Sequence, residues 1–323
     1  MDGNDDTGRM MRIASYASVA MAVTMVLAKL GAWSLTDSVA LLSSLVDSIL
    51  DVATSLINVL AIHQALQPAD AAHRFGHGKA EPLAGLGQAA FIAGSGLFLV
   101  IEAGNRLFHP AAIDNSRIGI AVMAVSIVLT LALVRFQNYV VKRTRSVAIS
   151  ADALHYTGDI LINGGVIVAL VCVTQLHWTL VDPVIGVGIA GYLLFNSWQL
   201  AVSSLHLLMD REFDDQEREQ IRAIVLSHPG ALSLHDLRTR SSGPQRFIQL
   251  HLELDRNMPL WQAHDIADHV ELKLREAFPE AEVIIHQDPA GLVEDHPEFS
   301  FEDTTAPVEK VGPGAVPITG ARR

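Results

Sequence analysis

Long apolar runs fill the first 210 residues of the chain and then stop. Each run reaches about 20 residues, the length that an α-helix needs to cross a bilayer. Six such segments are predicted, over residues 12–34, 39–64, 82–109, 116–141, 147–174 and 178–205. The pattern therefore predicts a membrane domain of six transmembrane helices within residues 12–210, preceded by a short polar N-terminal tail, 1–11.

From about residue 211 the apolar runs shorten and the charge density rises. Residues 214–227 form an amphipathic pattern with an acidic first turn, which is typical of a helix N-terminus. Two strand-like segments, LSLHDLRTRS and QRFIQLHLELD, flank a Ser-Gly-Pro turn and precede a helix over about 261–278 and the strand AEVIIHQD. This α-β-β-α-β order predicts a small α+β domain over residues 211–289, with its helices on one face of a sheet. The remaining tail, 290–323, is rich in Pro, Gly and charge, so we expect it to be disordered.

Two of the apolar segments carry ionisable residues at helical spacing. Asp47 and Asp51 lie in the second segment, and His155 and Asp159 lie in the fifth. Residues four apart share one face of a helix. A charge near the bilayer centre costs about 2.5–3.5 kcal/mol on insertion scales, so such residues usually mark a functional site. Together these residues, the membrane tetrad, offer three oxygen donors and one nitrogen donor, a set that suits a tetrahedral divalent metal such as zinc.

A hydrogen-bond network that only fixes helix packing is the alternative interpretation of the membrane tetrad. Three acids with one histidine would leave uncompensated negative charge in such a network. Lys29 in the first segment is a possible counter-charge, but one lysine does not neutralise the set. A bound dication, or protons in its absence, would do so, which favours the metal site.

A second candidate metal site lies between the second and third segments, in QPADAAHRFGHGK. Asp70, His73 and His77, the loop triad, are close in sequence and offer one carboxylate and two imidazoles, which are common zinc ligands. A solvated loop that happens to contain histidines is the alternative.

Four histidines and one aspartate on the strands and the second helix of the predicted soluble domain occupy positions that could converge. We call this set the domain pentad; it comprises His235, His251, His264, His286 and Asp288. His286 and Asp288 are two apart on a strand and therefore point to the same side. Isolated surface histidines are the alternative, and His228, His269 and His296 are interpreted in that way. The pentad predicts a third metal site if its members converge.

Composition narrows the class of protein. The chain has 323 residues, half of them apolar, and a mean hydropathy of +0.31. Its net charge of −12 and its lack of a basic patch argue against a nucleic acid partner. Cys172 is the single cysteine, so an intrachain disulfide or a multi-cysteine metal site is impossible. No cleavable signal peptide is expected, because the first apolar run is long enough to span.

Lys and Arg residues predict the orientation in the membrane. They concentrate on one side of the predicted bundle, at Arg9, Arg12, Arg74, Lys79, Lys142, Arg143, Arg145 and Arg211. The opposite side has only Arg106 and Arg117. Because cytoplasmic loops carry the excess of positive residues, both termini and the soluble domain are predicted to be cytoplasmic.

These motifs resemble the cation diffusion facilitator family, and especially its bacterial ferrous-iron and zinc efflux branch. The resemblance extends from the first helix to about residue 289, and its most specific landmarks are LVDSILD, LQPADAAHRFGHGKAEPLAGL, ADALHYTGD, HDLRTRSSGPQRFIQLHLE and VIIHQDP. It implies a homodimer in the bacterial inner membrane with a cytoplasmic ferredoxin-like, metallochaperone-like domain. It also implies that the membrane tetrad is the transport site and the loop triad a second metal site. The domain pentad would be a binuclear site in which Asp288 bridges the ions, and Lys79 would pair with Asp210 near the dimer hinge.

The residues and the resemblance together predict a secondary active transporter that exports Zn²⁺ from the cytoplasm in exchange for protons, with Cd²⁺ or Fe²⁺ as further candidate substrates. Protons displace metal from Asp and His ligands, because these ligands bind metal only when deprotonated. A metal-gated channel and a non-transporting membrane metal sensor are the alternatives. An enzyme is disfavoured, because the membrane tetrad fills four zinc positions and leaves none open for activated water.

Overall fold

The computed structural model describes residues 2–36, 39–108, 117–176, 181–279 and 281–291. The chain forms two compact units: Met1–Met209 with residues 242–244, and the rest of the chain from Asp210 onward. The tail predicted to be disordered falls outside the described residues from position 292 onward, so its disorder stays a prediction.

The first unit contains six long helices in its described part. They are α1 (Asp2–Thr36), α2 (Val39–Ala65), α3 (Ala80–Phe108), α4 (Arg117–Thr144), α5 (Val147–Leu176) and α6 (Val181–Leu208). Within the described residues, all except α5 contain a stretch long and apolar enough to cross a membrane. In α5, Asp152, His155 and Asp159 interrupt the apolar sequence, yet its 30 residues would span about 45 Å. The predicted helical membrane domain is confirmed.

The polar segment predicted as an N-terminal tail, 1–11, is helical from Asp2 onward. Helix α1 begins at Asp2, and its membrane-compatible stretch runs from Asp6 to Ser34. Acidic residues near a helix N-terminus interact favourably with the helix dipole, which favours a helix here. The place of this segment outside the membrane stays a prediction.

Helix α5 occupies the centre of the first unit. It packs against each of the other five membrane helices. Its Asp152 is buried and accepts hydrogen bonds from Ser18 of α1, from Gln137 Nε2 of α4 at 2.7 Å and from Gln88 Nε2 of α3 at 3.4 Å. These bonds connect α5 to three neighbouring helices and fix the rotation of the helix that carries His155 and Asp159.

The second unit follows the predicted α-β-β-α-β order. Its elements are α7 (Asp215–Leu226), β1 (Ser233–Ser242), β2 (Gln245–Leu254), α8 (Leu260–Ala277) and β3 (Ala281–Pro289). Asp214 caps α7 by accepting a hydrogen bond from the Glu217 backbone N–H at 2.8 Å. The strand order is β1-β2-β3, and β3 pairs in parallel with β2 so that His251 lies beside His286.

The alternation predicted for β2 decides which of its side chains enter the core. The side chains that enter the core are Ile248, Leu250, Leu252 and Leu254, which form one cluster with the apolar face of α8. Phe247 is also buried but lies outside this cluster. Because side chains alternate along a strand, His251 lies on the opposite face of the sheet from this core. His251, a candidate metal ligand on β2, is thus separated from α8 by the sheet itself.

Replacement of Leu252 by alanine is expected to destabilise the second unit by about 2–5 kcal/mol, because Leu252 is fully buried and a cavity would remain. Hydrogen–deuterium exchange of the β2 amides in the full-length protein measures the loss of protection. Leu260→Ala is the matched control, because Leu260 is 80% exposed and should leave exchange unchanged. Equal protection in both variants would contradict this core.

Candidate metal centres

Three groups of metal-ligating side chains converge in the described part of the chain. They are Asp51 with His155 and Asp159, Asp70 with His73 and His77, and His235 with His251 and Asp288. In each group, one ligand atom per residue lies within 4.8 Å of the others. Zinc bonds of about 2.1 Å at the tetrahedral angle place neighbouring ligand atoms about 3.4 Å apart. The distances between ligand atoms in each group can be compared with this value.

The membrane group joins α2 to α5. His155 Nε2 lies 3.0 Å from Asp51 Oδ1 and 4.0 Å from Asp159 Oδ2, distances that bracket the tetrahedral value. Side-chain exposure is 9% for His155, 18% for Asp51 and 32% for Asp159. Small shifts of these side chains would therefore let them share one divalent ion.

Asp47, the fourth member of the membrane tetrad, lies outside this close group but lines the same cavity. The cavity has a volume of about 690 Å³ and is lined by residues of all six helices, including the whole tetrad. Asp47 is exposed at its position one turn from Asp51. The structure thus brings three tetrad members into mutual contact and leaves Asp47 within the cavity that they share.

His155 is held in place by residues that were not predicted from the sequence. Phe91 of α3 contacts its ring edge-on, with 5.8 Å between centroids. Tyr156 lies within hydrogen-bond distance of Ser55 Oγ (3.0 Å) and donates to the Ser18 carbonyl (3.1 Å), which ties α5 to α2 and α1. Groups outside the tetrad, including the Tyr156 hydroxyl, thus join the helices around His155, and the tetrad residues line the cavity.

The loop triad has the most regular geometry of the three groups. Asp70 Oδ1 lies 3.4 Å from His73 Nδ1, Asp70 Oδ2 lies 3.4 Å from His77 Nε2, and the two imidazole nitrogens are 3.1 Å apart. The Asp70 carboxylate also accepts the backbone N–H groups of His73 and Ala72, and these hydrogen bonds, with that of His73 foremost, lower the pKa of Asp70. The loop therefore holds an ionised carboxylate between two imidazoles at tetrahedral spacing.

Metal affinity of the loop triad is expected to fall at least about tenfold between pH 7 and pH 5.5. Imidazoles bind metal only when neutral, so protons compete with the metal for the two histidines as the pH falls, whereas Asp70, with its lowered pKa, stays ionised throughout this window. Cobalt titration of an Asp51→Ala/Asp288→Ala background isolates this site. Affinity that does not change with pH in this window, or that survives Asp70→Ala, would exclude the triad as the binder.

Asp288 organises the group in the second unit. Its Oδ2 lies 2.8 Å from His251 Nδ1 and 3.5 Å from His235 Nε2, while its Oδ1 lies 3.1 Å from His286 Nε2. Only about 6% of its side chain is exposed. Each carboxylate oxygen thus faces a different histidine set, an arrangement that suits a carboxylate bridging two ions.

His264, by contrast, is not brought to the rest of the domain pentad. It lies on α8, is 67% exposed, and its Nε2 is 3.6 Å from Asp268 on the same helix. Helix α8 packs on the core face of the sheet, whereas His251 is on the other face. The expectation that all five residues converge therefore does not hold within one chain.

Two acids near this group were not predicted. Asp236 Oδ2 lies 3.8 Å from His251 Nε2, and Glu253 Oε1 lies 3.6 Å from His235 Nδ1. Glu253 could have been found from the sequence, because it is two residues from His251 and shares its face of β2. Asp236 could not, because it follows His235 directly and has a left-handed backbone with φ of 48°.

The two predicted hinge residues, Lys79 and Asp210, belong to different compact units. Lys79 Nζ donates to the Leu208 carbonyl at 3.2 Å within the first unit. In the second unit, Asp210 Oδ1 lies 3.5 Å from Arg240 Nη1. The Lys79–Asp210 pair stays a prediction.

Comparison with known protein families gives matches over nearly the whole described chain. Residues 15–209 match the cation efflux transmembrane domain. Residues 213–290 match the cytoplasmic domain of cation efflux proteins. The division between these matches agrees with the division between the two compact units.

Curated relatives and solved structures are also similar. The cation-efflux pump FieF of Klebsiella pneumoniae subsp. pneumoniae is 45% identical over 299 residues, which cover 93% of this chain and 99% of the relative. FieF of Salmonella choleraesuis is 45% identical over 290 residues, 90% of this chain and 96% of the relative. The metal-bound C-terminal domain of the CzcD transporter from Thermotoga maritima is 27% identical over 25% of this chain and 100% of that chain, with a TM-score of 0.24. Because the family match covers more than half of the sequence, this chain belongs to the cation efflux, or cation diffusion facilitator, family of multi-pass membrane transporters.

Proposed function

We propose that this cation efflux transporter exports Zn²⁺, with Cd²⁺ or Fe²⁺ as further substrates, in exchange for protons at the membrane tetrad. The observation that carries the proposal is the convergence of Asp51, His155 and Asp159 in one cavity within the membrane domain. Two relatives are named cation-efflux pumps, which supports export of a cation but leaves its identity open. Oxygen and imidazole ligands without thiolate accept several borderline divalent ions, so we rank zinc first and cadmium and ferrous iron after it.

Ligand protonation couples the metal to protons. Carboxylate and imidazole ligands bind a divalent ion only in their deprotonated forms. Where the proton concentration is higher, His155 and a carboxylate become protonated and the ion leaves. Where it is lower, the ligands lose protons and the next ion binds. One ion thus moves in one direction for the protons that move in the other.

The position of the cavity supports alternating access. Its lining residues include positions near the middle of the membrane helices, such as Gly94 of α3, Asp159 of α5 and Leu193 of α6. Binding sites near the bilayer midplane are typical of secondary transporters, in which rocking of helices would expose the same ligands first to one side of the membrane and then to the other.

The cytoplasmic domain, a ferredoxin-like unit in this proposal, would regulate transport and stabilise a homodimer. Asp288 presents one oxygen to His251 and His235 and the other to His286, so these residues would hold two resident zinc ions with Asp288 as the bridge. The exposed His264 would complete the site from a second copy, since its own sheet blocks it within one chain. Binding would bias a hinge near Lys79 and Asp210, and the loop triad would hold a further ion.

Gradient-driven flux tests the antiport proposal. Purified protein in liposomes is given equal zinc on both sides and an imposed pH difference. An antiporter accumulates zinc on the more acidic side, because zinc moves against the proton flux. A channel would leave zinc equal on both sides in the absence of a membrane potential, and a sensor that does not transport would produce no flux at all.

A further inference from the structure

One cation shares the cavity with the transport ligands. Among the described residues that line it, Lys29 of α1 is the only lysine or arginine. Its Nζ donates a hydrogen bond to Ser48 Oγ at 2.7 Å, and Ser48 is buried on α2 between Asp47 and Asp51. The ammonium group lines the same cavity as Asp47, Asp51 and Asp159. The ammonium is therefore held beside the carboxylates and not at the lipid surface.

The charge of Lys29 has opposite consequences in the two states of the site. Without a metal ion, the ammonium partly compensates the carboxylates in a region of low dielectric constant. With a divalent ion bound, the same ammonium repels the ion. A fixed positive charge at this position therefore favours the metal-free state over the metal-bound state.

We propose that Lys29 is a release group, a tethered ammonium that takes the place of the departing metal ion and so keeps the affinity of the transport site low. The proposal rests on the transport site proposed above and adds a residue that binds no metal. Tight binding would slow release into the outer medium, whereas an internal competing cation speeds it. The alternative is a purely structural role, in which Lys29 only joins α1 to α2 through its hydrogen bond with Ser48.

The neutral variants Lys29→Gln and Lys29→Met separate charge from packing. Each is made in an Asp70→Ala/Asp288→Ala background, so that the transport site dominates binding, and zinc affinity is measured by isothermal titration of the full-length protein. We expect zinc to bind at least about tenfold more tightly and maximal zinc flux into liposomes to fall. Lys142→Gln, which removes an equal charge at the far end of α4, should change neither quantity.

Two further variants distinguish the possible failures. Ser48→Ala removes the hydrogen bond but keeps the ammonium, so zinc binding should not become tighter. If zinc binds as much more tightly as in Lys29→Gln, the hydrogen bond and not the charge sets the affinity, and the proposal is overturned. Unchanged affinity and flux in both neutral variants, with flux still lost in Asp51→Ala, would refute the role of Lys29 alone. Flux retained in Asp51→Ala would instead refute the transport site on which the proposal rests.

Discussion

Asp159→Ala is expected to abolish zinc transport, with a loss of more than about 100-fold at subsaturating zinc. The change removes one ligand of the membrane group and alters its charge, whereas loss of a residue that only supports a metal ligand typically costs 10- to 100-fold. Folding should persist, because Asp159 is one of several like charges facing the cavity and its removal leaves no cation buried alone. Zinc uptake into liposomes measures the effect, and gel filtration reports the folded state.

Two variants serve as controls for this prediction. Asp159→Asn keeps the size of the side chain and loses the charge, so it should also fail to transport. Asp265→Ala removes an exposed carboxylate from α8 and should transport normally. Near wild-type flux in a folded Asp159→Ala protein would contradict the assignment of Asp159 as a ligand.

Asp288→Ala is expected to remove about two zinc ions per protomer from the purified protein. Asp288 contacts His251, His235 and His286, so its loss takes away the group that both metal positions would share. Metal analysis after gel filtration gives the stoichiometry, and dissociation of the dimer on dilution gives its stability. We expect the dimer to weaken, while flux at saturating zinc persists because the membrane tetrad is intact.

The matched control on the same strand is Glu282→Ala, which removes an exposed acid away from the histidines. It should retain the wild-type metal content. If Asp288→Ala loses its zinc but keeps wild-type dimer stability and the same zinc dependence of flux, the cytoplasmic site has no regulatory role. If it keeps both ions, Asp288 does not bridge them.

The helices of the membrane domain were predictable to within a few residues for most ends, because apolar runs bounded by polar turns are a direct consequence of the bilayer. The i,i+4 spacing also placed Asp51 and Asp47 on one face of α2, and His155 and Asp159 on one face of α5. The separation between Asp47 and the other three could not be predicted. It depends on how α2 and α5 are rotated against each other, which the contact between Ser55 and Tyr156 helps to set.

In the second unit, the period of β2 predicted the core correctly, since Leu250 and Leu252 alternate with His251. The sequence could not show that β3 pairs in parallel with β2, which is what brings His286 beside His251. Nor could the sequence show on which face of the sheet the helix that carries His264 packs, because an amphipathic helix can cover either face. Non-local pairing thus decides which members of the pentad meet.

In the proposed transport cycle, Asp51, His155 and Asp159 exchange a divalent metal for protons. The most direct test records zinc entry and internal pH together in proteoliposomes of the wild-type protein and of Asp51→Ala. We predict zinc entry with opposite proton movement in the wild type, and loss of both in a folded Asp51→Ala protein. Zinc entry without proton movement, or coupled transport that persists in Asp51→Ala, would contradict the account.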